Sequence, residues 1–201
     1  MSDQSLTPLE QLSVTLYEIG AVQFGKYKLH SGKKSRIYLD LRVLASFPEA
    51  LRQVADAYRT VLEWLDYDVL SATPLAGLPI GTAIALNMNQ PLIYPRQTAK
   101  SYGTGKAIEG VYSVGDTAVV IDDLITSGDS IVQTIAALKA GGLRVTDAVV
   151  LIDREEGGVE NLAAEGYRLH SIMSVSYLLS VLLDQEQISE KKYNKTLKSL
   201  R

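Results

Sequence analysis

The run T-A-V-V-I-D-D-L-I-T-S-G-D-S, from Thr117 to Ser130, constrains this chain more than any other stretch. Ala118 to Ile121 is apolar and largely β-branched, which predicts a short buried strand. Ile131, Val132, Ile135 and Leu138 then recur at helical spacing, so a strand hands over to a helix. Between them lie the adjacent carboxylates Asp122 and Asp123, and then Thr126, Ser127, Gly128, Asp129 and Ser130, all small or hydroxylated. Such a turn can aim backbone N–H groups and hydroxyls at an anion seated on the positive end of the helix, which suits a phosphate monoester. The two carboxylates can accept hydrogen bonds from a pair of sugar hydroxyls. A plain strand-to-helix connection needs one capping residue, and this turn supplies many.

The rest of the chain alternates in the same way. Thr7-Pro8-Leu9-Glu10 is a capping box with proline in the first turn, and Leu9, Leu12, Leu16 and Ile19 mark the apolar stripe of a helix that Gly20 stops. Phe24 to Arg42 reads as two short strands around a turn at Ser31 and Gly32. Ser46 to Leu65 predicts a second helix, with Ser46 and Glu49 as its capping box and Leu51, Val54, Tyr58, Val61 and Leu65 facing inward. Strands are expected at Tyr67–Ala72, Pro91–Pro95, Val145–Ile152 and Arg168–Met173. Helices are expected at Leu78–Asn87, Val159–Glu165 and Val175–Leu183, with a Lys-rich one at Glu190–Arg201. This alternation predicts an α/β fold, a mostly parallel sheet flanked by helices, with ligands at the carboxyl ends of the strands. Arg96 to Gly110 breaks the pattern, carrying cations and glycines with almost no core-forming side chains, and reads as a mobile loop.

The Asp-Asp turn resembles the phosphoribosyl pyrophosphate (PRPP) motif of the type I phosphoribosyltransferases. Three further stretches resemble the orotate phosphoribosyltransferases within that family. Leu29, Ser31, Gly32, Ser35, Ile37, Tyr38, Asp40, Leu41 and Arg42 match the segment that forms a hood over the base. Arg96, Lys100, Tyr102 and Gly103 match the catalytic lid, and Asp153-Arg154 with Gly157-Gly158 matches the turn whose arginine holds the base.

The resemblance implies one phosphoribosyltransferase domain over residues 1–201, with a hood contributed mainly by 20–42 and a mobile catalytic loop at 96–110. It implies catalysis by Lys100, Asp122, Asp123 and Arg96, and PRPP binding by Asp122, Asp123, Leu124, Ile125, Thr126, Ser127, Gly128, Asp129, Ser130, Arg96, Gln97, Lys100, Tyr102 and Lys106. Orotate falls to His30, Tyr38, Leu39, Thr126 and Arg154. Mg²⁺ is expected as cofactor, carried mainly by PRPP oxygens rather than by a protein cage. A homodimer is also implied, because the family's loop lysine serves the neighbouring subunit.

Several residues depart from the family pattern. Gln97, His30 and Ala76 stand where lysine is common, and Arg36 stands where proline is common. A transferase for another base and a PRPP-binding regulator therefore stay open beside the orotate enzyme. A net charge of −3 gives nucleic acid and anionic membrane no support as main partners, and the absence of cysteine removes disulfides and thiolate metal sites. No apolar run approaches the roughly 18 residues of a spanning helix, and the N-terminus has no leader pattern, so a cytoplasmic protein is expected. No portion resembling the family's fused decarboxylase is expected.

Overall fold

A computed structural model of the chain describes residues 5–28, 32, 34–96 and 107–200. Helix α1 (Pro8–Glu18) begins at the capping box read from sequence, with the Thr7 hydroxyl accepting from the Glu10 N–H and the Glu10 carboxylate accepting from the Thr7 N–H. Strands β1 (Val22–Lys28) and β2 (Lys34–Leu39) pair antiparallel as a separate hairpin. Its face is less solvated than a free hairpin's would be, since Val22, Ile37 and Leu39 enter the main core.

Helix α2 (Pro48–Leu62) corrects one expectation. Ser46 ends a short 3₁₀ turn over Leu41–Ser46, and Phe47 occupies the cap position with no side-chain hydrogen bond. Pro48 fixes the start of the helix, because its ring pre-sets the first helical φ. Glu49 pairs with Arg52 at 2.8 Å instead of reaching back to a cap. Of the residues expected to face inward, Val54 and Tyr58 are fully buried, Leu51 and Val61 are partly buried, and Leu65 lies beyond the helix end.

The remaining chain builds the main sheet from β3 (Val69–Ala72), β4 (Leu92–Pro95), β5 (Ile108–Glu109), β6 (Thr117–Ile125), β7 (Arg144–Asp153) and β8 (Arg168–Ser174). Their order is β5-β4-β3-β6-β7-β8, parallel except where β5 runs against β4. Ile108 and Glu109 fall inside the stretch expected to be a mobile loop. Ile108 is nevertheless core, seated against Ile93 and Leu138 in one hydrophobic cluster.

Strand alternation sends the central residues to opposite faces. Val119, Ile121, Val149 and Leu151 pack into the cluster formed with α1, α2, α3 (Gly77–Met88) and α6 (Val175–Asp184). Ala118, Val120, Ala148 and Val150 pack into the cluster with α4 (Asp129–Ala140) and α5 (Gly158–Ala164). A last helix, α7 (Glu190–Leu197), covers the hairpin, where the Ser199 hydroxyl accepts from the Arg36 N–H. No helix among the described residues is long and apolar enough to cross a membrane.

Candidate active site

The candidate site begins where β3 stops. Its last pair is Ala72 with Ile121, whereas the ladder between β6 and β7 continues from Asp122 opposite Val150 to Ile125 opposite Asp153. The strand is therefore longer than the Ala118–Ile121 expected from sequence, and both aspartates lie within it. On the side that β3 vacates, the turn after it crosses over, with the Thr73 N–H donating to the Ile121 carbonyl at 2.8 Å. Gly77 comes so near that a Cβ there would sit 2.9 Å from that same carbonyl oxygen. A side chain would push α3 off the strand end.

Asp122 and Asp123 are neighbours near the end of β6, and their carboxyls interact with each other. Asp122 is 4% exposed, and three contacts fix it. One carboxylate oxygen accepts from the Asp123 N–H at 2.9 Å, the other accepts from the Ser130 hydroxyl at 3.0 Å, and its carbonyl accepts from the buried Tyr58 hydroxyl at 2.5 Å. Burial, then repulsion from Asp123, pushes the Asp122 carboxyl well above its ordinary range. Burial raises Asp123 too, opposed by hydrogen bonds and by the nearby Arg42 guanidinium.

Gly128 turns the chain at φ +92°, and α4 starts at Asp129 with no side-chain cap, so its first-turn N–H groups face the turn. Ser127 and Ser130, both expected at a phosphate, donate their hydroxyls to Asp129 at 2.8 Å and to Asp122 at 3.0 Å. Ile125 is buried in the core and Leu124 is half-buried, which leaves them their backbone alone for a ligand. Asn161 of α5 donates to the Ser127 carbonyl at 2.9 Å and so steadies the turn. Nothing in its sequence context marked Asn161, a polar residue on a short amphipathic helix.

The register of β6 on β7 sets Arg154 beside this turn, its N–H donating to the Ile125 carbonyl at 3.1 Å. Arg154 is 4% exposed, which an ordinary solvated turn would not produce. Its Nε donates to Glu156 at 2.9 Å, while the buried Nη2 finds no well-formed acceptor among the described residues. Glu155, at φ +58°, accepts from the Ser176 N–H at the start of α6, and the Asp153 carboxylate accepts from the Glu155 N–H at 2.8 Å.

From the hairpin side, Arg42 donates to Asp40 at 2.6 Å and to the Tyr38 hydroxyl at 3.0 Å. The hydrogen bond to Arg42 holds the Asp40 carboxyl below its usual range. Tyr38 stacks on Tyr27 with ring centroids 5.3 Å apart. Arg42 was legible only as a letter of the hood motif, yet its charge reaches Asp123. Leu39, expected at the base, is a core residue. Arg96 lines a cavity of about 220 Å³ with Pro74, Leu75, Leu78, Tyr94, Pro95 and Glu109, and is ion-paired to Glu109. His30, Gln97, Lys100, Tyr102 and Lys106 lie outside the described residues, as do Leu29 and Ser31.

Comparison with known proteins meets this geometry. No protein-family model matches the chain. The orotate phosphoribosyltransferase of Pyrobaculum aerophilum is 37% identical over 183 residues, covering 90% of this chain and 94% of its own. The chain belongs to the orotate phosphoribosyltransferase family. The uridine 5'-monophosphate synthase of Bos taurus is 40% identical over 90% of this chain. The structure of Leishmania donovani UMP synthase superposes with a TM-score of 0.89 at 38% identity, over 95% of this chain and 42% of that one. The chain spans about two fifths of the length of these two relatives, 38% of the bovine protein and 42% of the leishmanial one.

Proposed function

We propose that the protein transfers a phosphoribosyl group from PRPP to orotate, giving orotidine 5'-monophosphate and pyrophosphate on the way to UMP. The observation that carries this is the juxtaposition at the ends of β6 and β7: two carboxylates of raised pKa, an uncapped helix start, and a buried arginine one strand away. The first two suit a ribose phosphate with its diol, and the arginine suits a planar, anionic base.

In this reading the N–H groups from Thr126 to Ser130 hold the 5'-phosphate, and Ser130 acts chiefly by orienting Asp122. Asp122 and Asp123 accept from the ribose hydroxyls and place negative potential beside C1 as it becomes oxocarbenium-like. Arg96 exchanges Glu109 for the leaving diphosphate, while Gln97, Lys100, Tyr102 and Lys106 bring the lid over it. Tyr38, held by Arg42, closes the base pocket from the hood, with His30, the Leu39 backbone and Thr126 around it.

Two adjacent carboxylates fit a hard cation that takes few protein oxygens, and among the described residues no cluster of three acidic or imidazole side chains gathers. Asp122 and Asp123 would lie beside Mg²⁺ carried in with PRPP, and the ion would supply positive charge for the departing diphosphate.

We further propose a homodimer. Helix α3 is apolar nearly all round; Leu86 on its outer side is 81% exposed, and Leu75 in the turn before it is 67% exposed. An apolar helix face left in water is what a subunit contact would cover. Leu86→Glu should halve the mass seen by sedimentation.

The deciding assay follows pyrophosphate release from PRPP and Mg²⁺ with orotate, uracil or hypoxanthine. Release with orotate alone supports the proposal. Release with another base supports a different transferase, and binding without turnover supports a PRPP regulator.

A further inference from the structure

The guanidinium of Arg154 is already engaged before any base arrives. One carboxylate oxygen of Glu156 accepts from Nε at 2.9 Å and also lies 2.9 Å from Nη2, without the alignment of a second hydrogen bond. The side chains of Arg154 and Glu156 are 5% and 15% exposed, so water does little to screen the pair. A guanidinium carries five donors in a fixed plane. Contact at Nε fixes that plane, and the two terminal nitrogens, of which Nη2 is buried without a well-aligned acceptor, form the edge that another planar acceptor would meet.

The turn that carries Glu156 is held in place. Asp153 accepts from the Glu155 N–H at 2.8 Å, and Glu155 accepts from the Ser176 N–H at 2.9 Å. Gly157 then turns at φ +92° into α5. The turn is tied to α6 on one side and to α5 on the other.

We propose that Glu156 is a positioning residue that sets specificity at the base site: it orients Arg154 through Nε and, by its charge, weakens the grip of that arginine on an anionic base. The inference rests on the reading of Arg154 as the partner of the base. A carboxylate of orotate brought to the free edge shares one cation with Glu156, and like charges at such range oppose each other. A neutral base feels only the orientation. Glutamine at 156 keeps the acceptor for Nε and removes the charge, whereas leucine removes both.

The test compares wild type, Glu156→Gln, Glu156→Leu and Arg154→Lys in steady-state assays with orotate and PRPP varied in turn, with thermal unfolding confirming that each variant is folded. For Glu156→Gln the expected result is an orotate KM lower by roughly fivefold, the scale of one modest charge interaction. For Glu156→Leu the orotate KM should rise on the order of tenfold, as the oriented hydrogen bond is lost. The KM for PRPP should stay unchanged in both, which a merely structural role would not produce. An orotate KM that moves in neither variant, or that rises equally in both, overturns the proposal. Arg154→Lys separates the two readings: if it raises the orotate KM while the Glu156 variants do nothing, only the role of Glu156 fails. If it too leaves the orotate KM unchanged, the base-site reading fails and takes the inference with it.

Discussion

Neutralising Asp122 should stabilise the fold and cripple the site. Both of its carboxylate oxygens accept hydrogen bonds, one from the Asp123 N–H and one from the Ser130 hydroxyl. Asparagine preserves this pattern, because its oxygen can still accept from the backbone while its NH₂ donates to a hydroxyl that rotates to become the acceptor. What disappears is a carboxyl group that is 4% exposed and whose charged form is opposed by burial and by a second carboxylate. A buried charge replaced without losing packing commonly yields about 2 kcal/mol of stability, and for a chain of this size that raises Tm by roughly 4–8 °C. In the proposed reading the same change removes an acceptor for the ribose hydroxyls. PRPP should bind about tenfold or more weakly, and turnover should fall on the order of a hundredfold.

The pH dependence carries a sign that can be checked. A carboxyl whose folded pKa lies above its ordinary value holds its proton more tightly in the folded state. It therefore destabilises the fold at neutral pH and ceases to do so as pH falls through the folded value toward 3.8. Denaturant titrations of Asp122→Asn and wild type at pH 7 and at about pH 4 should show the advantage of the variant shrinking in acid. A lower Tm at pH 7, an advantage independent of pH, or unchanged PRPP turnover would refute the account of Asp122.

Asp147 should behave with the opposite sign. Burial pushes its carboxyl up, but hydrogen bonds from Arg168 at 2.8 and 2.7 Å, from His170 at 2.7 Å and from Thr146 at 2.8 Å outweigh it and hold the carboxyl well below its usual range. Its contribution is full above 3.8 and is lost as pH falls through the folded value. Asp147→Asn should cost about 1 kcal/mol at pH 7, discounted because Arg168 is largely exposed, and the gap should narrow in urea titrations at acid pH. Gly158→Ala places a Cβ 2.5 Å from Ile125 and 2.6 Å from the Thr126 carbonyl. It should cost about 1–3 kcal/mol and lower the affinity for PRPP together with stability, measurable by calorimetry and titration.

The amino-acid sequence alone determined the layered α/β plan and the chemistry of the principal turn. Alternating β-branched runs and amphipathic helices leave few other ways to bury apolar surface, and the order of acids, hydroxyls and glycine from Asp122 to Ser130 is a local property of the chain. The Thr7 cap was legible for the same reason, because its partners lie three residues apart. The Ser46 cap was misread because Pro48 and the 3₁₀ turn before it override a matching spacing.

Tertiary structure alone decided how the parts meet. Whether β6 ends at Ile121 or runs on to Ile125 depends on β7 continuing beside it while β3 stops, and no local pattern records the length of a neighbouring strand. That register brings Arg154 to the turn before α4, and the return of α4 along β6 sets the Ser130 hydroxyl on Asp122. Arg42 reaches Asp123 only because the hairpin packs through Ile37 and Leu39 onto the same core. Propensity and periodicity act over a few residues, whereas burial and charge at the site arise from segments far apart in sequence, 64 residues for Tyr58 and Asp122, so their chemistry exists only once the sheet has assembled.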